Sequence, residues 1–506
     1  MQTTAVIDVR RTTLTCCITA VVIIMLSCNV MAAGTSAGER ANDRPNILFA
    51  IADDWSWPHA GVYGDKVIKT PVFDRIASRG VLFTHAFCAA PTCTPSRGAI
   101  LTGQAIHRLE EGGNLFSTLQ NKFRVYPDIL EASGYYVGYT GKGWSPGNYQ
   151  LGGWSRNPAG PKFKGGFREF LEKVPLGRPF CFWFGSHDPH RAYEKGSGLK
   201  SGMKIEDVVV PPFLPDTPEV RSDMLDYYFE VQRFDSQVGR MLELLEARNL
   251  LDNTMVVMTS DNGMPFPRAK ANLYDCGSRM PMAVRWPVKI KGGRRVDDFI
   301  SFTDFAPTFL EAADLKPLRE MTGCSFLDLL IDSRSTVLRD KVFLERERHA
   351  YCRKDNLSYP SRAIRTKQYL YIRNFLPDRW PQGEPHLNMI LRRNGRKKIL
   401  KLDRQFGDVD DSPSKNALLA GRNDPQISAL YKLAFAKRPA EELYDLDQDP
   451  HQLINVADRP KYAEVRQKLR GQLDHWLKET ADPRVLGLDN CWDSSPYVGG
   501  WKEISN

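Results

Sequence analysis

Several common architectures are missing from this 506-residue chain. It has no Cys-x-x-Cys pair, which argues against a zinc ribbon, whose ligands come at that spacing. After residue 33 no stretch approaches the roughly 18 apolar residues that a membrane-spanning helix needs, so no stable membrane span is expected. There is no internal repeat and no low-complexity tract. Neither sign of charge dominates: 69 Lys and Arg against 60 Asp and Glu leave a net +9. So modest a balance suits a polyanionic substrate and does not call for a nucleic-acid partner. What remains is ordinary for a soluble globular protein, with 42% hydrophobic and 25% charged residues. The length allows two or more domains, or one large α/β domain with an appendage.

The first 33 residues differ from the rest. Arg10 and Arg11 precede an apolar run from Leu14 to Met31, and Ala32-Ala33 supplies small residues for cleavage. This pattern reads as a secretory signal peptide over 1–33, with a periplasmic or extracellular destination. Leu26-Ser27-Cys28 resembles a lipidation box only loosely, with Met25 a poor residue ahead of it. Without this leader the net charge is +8, since Asp8, Arg10 and Arg11 leave with it. The seven remaining cysteines are Cys88, Cys93, Cys181, Cys276, Cys324, Cys352 and Cys491. An odd number leaves one unpaired if the rest bridge, and Cys93 is the natural odd one. The spacing assigns no pairing.

Strand and helix patterns alternate along the next 250 or so residues. Asn46–Ile51 is a continuous apolar run, the mark of a buried parallel strand, and it ends in Asp53-Asp54. Thr70-Pro71 opens a helix through Val72 to Ser78. Further strands are expected at Tyr135–Thr140, ending at Gly141-Lys142, and at Phe180–Phe184, ending at His187-Asp188. Ser222–Leu250 reads as a long amphipathic helix with Leu225, Tyr228, Val231, Val238, Leu242 and Leu245 near one face. Thr254–Ser260 is a fourth strand, ending at Asp261-Asn262, and Met282–Trp286 a fifth. The alternation predicts an α/β fold with a mostly parallel sheet. Polar, chemically able residues thus stand at the C-terminal ends of four strands, the edge at which such sheets bind ligands. Past about residue 372 prolines and basic runs follow, so the sequence suggests a catalytic domain over 44–372 and a C-terminal subdomain over 373–506. Ile390–Arg404, with seven Lys and Arg, reads as a solvated helix or loop.

Asp53, Asp54, Asp261 and Asn262 offer oxygen ligands only, which suit a hard cation such as Ca2+ or Mg2+. Adjacent carboxylates are costly to bring together unless a cation neutralises them. The segment Pro91-Thr92-Cys93-Thr94-Pro95-Ser96-Arg97-Gly98 sets a sulfur just before a helix start, with a permanent cation one turn on. Pro95 suits the first helical position, and a helix N-terminus favours anions. Such a design holds a tetrahedral oxyanion beside a reactive side chain.

Cys93-x-Pro95-x-Arg97, continued by Ala99-Ile100-Leu101-Thr102-Gly103, resembles the sulfatase signature at every defining position. The resemblance covers nearly the whole chain after the leader. It implies an alkaline-phosphatase-like large domain and a small C-terminal α+β subdomain with an antiparallel sheet and a helix, whose mark here is Glu442–Leu446 followed by a helix around Val465–Trp476. It implies that a maturation enzyme oxidises Cys93 to Cα-formylglycine, whose hydrate attacks sulfur in line. It also implies a Ca2+ held by Asp53, Asp54, Asp261, Asn262 and residue 93. Arg97, Lys142 and Lys270 would then bind the sulfate, and His187 would protonate the leaving group. Many members carry a His two residues after the Lys142 position, where Trp144 stands here. His107 is a substitute candidate for the missing His, though a structural histidine is the plainer reading. His187-Asp188-Pro189-His190-Arg191, the stretch Val210–Pro218, Ser260–Pro267 and Ser358-Tyr359-Pro360 place the likeness nearest the N-sulfoglucosamine sulfohydrolase (heparan N-sulfatase) branch. Arg362 and His349 are candidates for contacts beyond the sulfate. The competing readings are a phosphomonoesterase or phosphonate hydrolase of the same superfamily, and a non-catalytic saccharide-binding protein with Cys93 unmodified.

Overall fold

The run Asn46–Ala52 forms the central strand, β1, and all seven residues are buried. A strand covered on both faces needs apolar side chains on both, which explains the continuous run. The computed structural model describes residues 44–332, 337–393, 399–488, 491–498 and 501–503. From Pro45 onward the chain forms one compact unit. The leader expected at 1–33 lies outside the described residues.

With β2 (Val81–Phe87), β3 (Tyr136–Gly141), β4 (Phe180–Gly185), β5 (Thr254–Ser260), β6 (Arg279–Arg285) and β7 (Arg294–Ser301), β1 builds a sheet in the order β3-β4-β1-β5-β6-β2-β7. Neighbours among β3, β4, β1 and β5 run parallel, as do β2 and β7. Only β6 is antiparallel to its neighbours. The mostly parallel α/β sheet is therefore as expected, with two strands, β2 and β7, that the sequence did not announce. The paired charges Arg294-Arg295 and Asp297-Asp298 break the apolar pattern of β7, an edge strand. Alternate residues of β1 face opposite layers: Leu48, Ala50 and Ala52 one apolar cluster, Ile47, Phe49 and Ile51 the other.

Helix α1 (Pro71–Ser78) and the helix that carries the cysteine motif, α2 (Cys93–Thr102), follow β1 and β2. The long helix α3 spans Pro218–Glu246, and its expected apolar face packs on the first layer. It starts four residues earlier than the periodicity suggested. Thr217 Oγ1 accepts from Val220 N at 3.4 Å and Pro218 takes the first position, so the true start signal precedes the apolar stripe.

Beyond residue 340 come β8 (Lys341–Arg346), β9 (Ser361–Thr366), β10 (Tyr369–Asn374), β11 (Leu387–Arg393), β12 (Ile399–Arg404), β13 (Glu441–Asp445) and β14 (Trp501–Glu503). A four-stranded antiparallel sheet, β13-β10-β9-β8, carries helix α4 (Ala463–Glu479), whose Leu469, Leu473 and Leu477 pack on Ile364, Tyr371 and Leu443. Residue 372 falls inside β10. The basic run Ile390–Arg404 is not a helix or loop in its described part: it lies in the antiparallel pair β11–β12, joined by β14. Its register sets Leu391 against Leu400 and Met389 against Leu402, an apolar alternation of period two that the dense charge obscured. None of the seven cysteines after the leader is bridged.

Candidate active site

The four strand ends that carry the expected site residues are neighbours in the sheet. Register sets Gly141 and Ile51 both level with Gly185, and Ala52 level with Ser260. The ladder continues past the strands: Lys142 N donates to Gly185 O at 2.8 Å, Asp53 N to Asp188 O at 3.0 Å and Asp261 N to Ala52 O at 3.1 Å. Glycine is required where these ends touch. A Cβ on Gly185 would sit 1.8 Å from Lys142 O, and one on Gly141 2.0 Å from Gly185 O. Asp54 holds φ of 81°, a conformation that side chains other than glycine's rarely adopt and that accumulates at functional sites.

Asp53, Asp54, Cys93 and Asp261 each bring a ligand atom within 4.8 Å of the others, and all four are buried. Asn262 joins them, its Nδ2 donating to Asp54 Oδ1 at 2.7 Å, while its own Oδ1 is buried without a partner. Three carboxylates and an amide oxygen in one dry spot repel each other strongly. Burial, opposed by Arg97 and reinforced by Asp53, pushes the Asp261 carboxyl up to about 6. Burial works the same way on Asp53, yet Lys142, with His190, Arg97 and Lys270 behind it, holds that carboxyl well below its ordinary range. An all-oxygen donor set with an orphaned amide oxygen fits a hard divalent cation.

Helix α2 is buried along its whole length. It starts at Cys93, so Pro95 is its third residue rather than its first; a missing N–H is equally harmless there, because no residue of the first turn has an intrahelical acceptor. Thr92, the N-cap, makes no side-chain cap and instead pairs its Oγ1 with His349 Nδ1 at 2.5 Å. Cys93 Sγ donates to Asp53 Oδ1 at 3.4 Å, and burial pushes the thiol well above its ordinary value, so an unmodified Cys93 is no thiolate. Arg97 spends its fork on architecture and keeps one donor. Nε bonds Asp261 Oδ2 at 2.8 Å and Nη1 bonds the carbonyls of Lys142 and Gly143 at 2.7 and 3.1 Å. Nη2 is buried without a hydrogen bond, 4.0 Å from Asp53 Oδ1.

Two ammonium groups complete the cluster. Lys142 Nζ lies 2.6 Å from both oxygens of Asp53. Lys270 Nζ lies 2.7 Å from Asp54 Oδ2 and 3.5 Å from Asp410 Oδ2. Burial pulls both lysines down, but the facing carboxylates more than offset it and both stay charged. His187 is exposed on the rim of a cavity of about 630 Å³ that reaches Asp53 and Lys142. Burial, with Lys142 and Arg97 nearby, lowers its basicity, while Asp53 opposes that.

The structure adds residues that the sequence left without a role. His190 Nε2 lies 4.0 Å from Asp54 Oδ2, and Arg191 is fastened to Asp223 at 2.7 and 2.8 Å while lining the cavity. Both sit in the His187–Arg191 segment, so a signal existed. Asp410, in the loop after β12, had none. Arg362 is corrected as a candidate, while His107 keeps the structural reading that was the plainer one. Arg362 is fully buried and bonded to Asp482 at 2.7 Å and Glu347 at 2.8 Å, which leaves it nothing for a saccharide. His107 is buried between Glu345 Oε2 at 2.6 Å and Thr480 O at 3.1 Å, a structural histidine. His349 stays beside the site through Thr92, and burial lowers it to about 4. Trp144 is buried in the second apolar layer.

The sulfatase family model matches residues 45–315, and a model described as N-sulphoglucosamine sulphohydrolase, C-terminal, matches residues 268–381. Human N-sulphoglucosamine sulphohydrolase is 30% identical over 501 aligned residues, 89% of this chain and 93% of that protein. An ulvan-active sulfatase of Formosa agariphila is 28% identical over 87% of this chain and 81% of its own length. A solved structure in complex with its substrate, D-glucosamine-2-N,6-O-disulfate, shares the fold, with a TM-score of 0.60 at 20% identity, covering 87% of this chain and 98% of that one. The chain belongs to the sulfatase family. It is a sulfuric ester hydrolase.

Proposed function

We propose that this enzyme removes sulfate from sulfated saccharides, and that its preferred group is the N-sulfate (sulfamate) of glucosamine. The observation that carries the sulfatase chemistry is the buried Asp53–Asp54–Cys93–Asp261 cluster, beside which Arg97 Nη2 and Asn262 Oδ1 stand unpaired. The N-sulfate preference is supported by the 30% identity to the human sulphoglucosamine enzyme and by the match to the C-terminal model of that family. The ulvan-active relative favours a second reading, O-sulfate on another polysaccharide. A two-metal phosphoesterase finds less support. Among the described residues the other metal-capable group is His107, Glu345 and Asp482, and Arg362 already neutralises it.

In this reading Asp53, Asp54, Asp261, Asn262 and residue 93 would hold one Ca2+, whose positive charge would be the chemistry it supplies there. Formylglycine at position 93 would supply the attacking oxygen. The remaining work falls to the chain's own side chains. Arg97 Nη2 donates to a sulfate oxygen while its Nε holds Asp261 and its Nη1 holds the carbonyls of Lys142 and Gly143. Lys142 and Lys270 turn from Asp53 and Asp54 toward the anion and stabilise the charge that builds on the transferring group. His187, at the open rim, gives a proton to the departing nitrogen or oxygen, and His190 is the nearest alternative donor. The apolar run after Arg10-Arg11 supports export to the periplasm or beyond, and among the described residues no helix is long and apolar enough to cross a membrane.

Sulfate release from a panel of N-, 2-O-, 4-O- and 6-O-sulfated saccharides, with a phosphate ester as control, tests the reading. N-sulfate turnover above the others is expected; faster phosphate release would overturn it. Cys93→Ala and Cys93→Ser should both abolish release, and the peptide holding residue 93 should be lighter than its cysteine form by about 18 Da. A native-mass cysteine in fully active enzyme would refute the aldehyde.

A further inference from the structure

Beside the catalytic cavity lies a second one, of about 750 Å³, between the ends of β3 and β4, the helix Gly166–Lys173 and the C-terminal half of α3. The two cavities share His187, Asp188 and Arg233 as a common rim. The mechanism above uses nothing in the second cavity beyond that rim. Yet it presents Arg168, from the Gly166–Lys173 helix, and Arg240, from α3.

Both arginines are exposed, and among the described residues neither forms an ion pair. Arg233 differs: it is bonded to Glu230 at 2.6 Å and stands 3.5 Å from Asp188. Asp188 is further occupied by Gln237 Nε2 at 3.1 Å, which leaves Glu243 as the other carboxylate on the lining. Arg233, Gln237 and Arg240 follow each other at spacings of four and three on α3, so they share one face. The stripe leads away from the catalytic rim for about 10 Å, at 1.5 Å per helical residue. Phe167, Phe184 and Met241 give the cavity an apolar floor, suited to the C–H face of a sugar ring. A guanidinium fork matches the oxygens of a sulfate.

We propose that this second cavity is a subsite for a further sulfated sugar of an oligosaccharide whose scissile sulfate lies at the Asp53–Asp54–Asp261 cluster, with Arg168 and Arg240 binding the second sulfate. The proposal rests on the sulfatase reading and extends it from a monosaccharide to a chain. It makes Arg168 and Arg240 specificity residues that never touch the reacting atoms.

The test compares Arg168→Ala/Arg240→Ala with the unchanged enzyme on two probes: N-sulfoglucosamine, and a heparin-derived tetrasaccharide ending in N-sulfoglucosamine. For the tetrasaccharide KM should rise roughly fivefold, the size of two exposed charge pairs, with kcat held. The monosaccharide constants should stay within twofold. The salt dependence of the tetrasaccharide KM should weaken in the variant, because exposed contacts are screened. A tetrasaccharide KM within twofold of the unchanged enzyme overturns the subsite. So does an equal loss on both probes, which would mean the arginines act through His187. If the unchanged enzyme releases sulfate from neither probe, the N-sulfoglucosamine preference falls and takes the subsite with it.

Discussion

Gly185→Ala offers a sharp test of how the strand ends make the site. The added Cβ would lie 1.8 Å from Lys142 O, 1.2 Å inside the 3.0 Å limit below which such contacts essentially never occur. The obstacle is backbone, so no side chain can swing aside. Lys142 O is also the acceptor for Arg97 Nη1 at 2.7 Å and Trp183 Nε1 at 3.0 Å, and Lys142 N donates to Gly185 O at 2.8 Å. Moving the end of β3 by an ångström therefore drags Lys142 from Asp53 and loosens the Arg97 fork together. Overpacking of this kind costs about 1–3 kcal/mol, a drop in melting temperature of roughly 1–6 °C for a chain of this size. A displacement of about 1 Å at reacting groups costs on the order of 10²-fold in rate. The expected result is a folded protein with sulfate release down about a hundredfold, read by ion chromatography beside a thermal melt. Release within twofold of the unchanged enzyme, at an unchanged melting temperature, would refute the claim that this close approach sets the position of Lys142 and Arg97.

Arg97→Lys keeps the charge but loses the fork to Asp261, Lys142 O and Gly143 O, so kcat should fall by about 10²–10³-fold; a variant keeping a tenth of the activity would refute the role. Dialysis against a chelator should abolish turnover and lower the melting temperature. Ca2+ should restore both, with a stabilisation of about 2.7 kcal/mol at a hundred times its dissociation constant; metal-free protein with full activity would sink the cation. Burial pulls His107 down, but Glu345 and Asp482 outweigh it and hold its basicity above the ordinary value of about 6.5. Its stabilisation is therefore complete below about pH 6.5 and is lost as pH rises through the higher folded value. Melting temperature should fall with pH across that window, and His107→Gln should flatten the slope.

Much of this site was legible in order along the chain. The apolar runs at Asn46–Ala52 and Thr254–Ser260 announced buried strands, and the residues that follow each of them line the cluster. The Cys93–Gly103 motif forms the buried helix that sets Cys93 beside Asp53 and Arg97 beside Asp261. His190 lies in the His187–Arg191 segment, but its partner Asp54 comes beside it only through β1. Asp410 reaches Lys270 from a loop more than a hundred residues downstream, a pairing no local pattern encodes. Arg362 misled for the converse reason. Arginine and histidine read alike in sequence whether they face a ligand or a buried carboxylate, and only their neighbours distinguish the two.

By itself the sequence determined the alternation of strands and helices, the all-oxygen donor set and the cysteine motif, because periodicity and residue chemistry are local properties. Tertiary structure decided the rest. The strand order β3-β4-β1-β5 brings Asp53-Asp54, Lys142, His187-Asp188 and Asp261-Asn262 to one edge, and glycines at 141 and 185 let those ends close. Which cations neutralise which carboxylates follows from distances of a few ångströms, and such distances exist only once the sheet has formed.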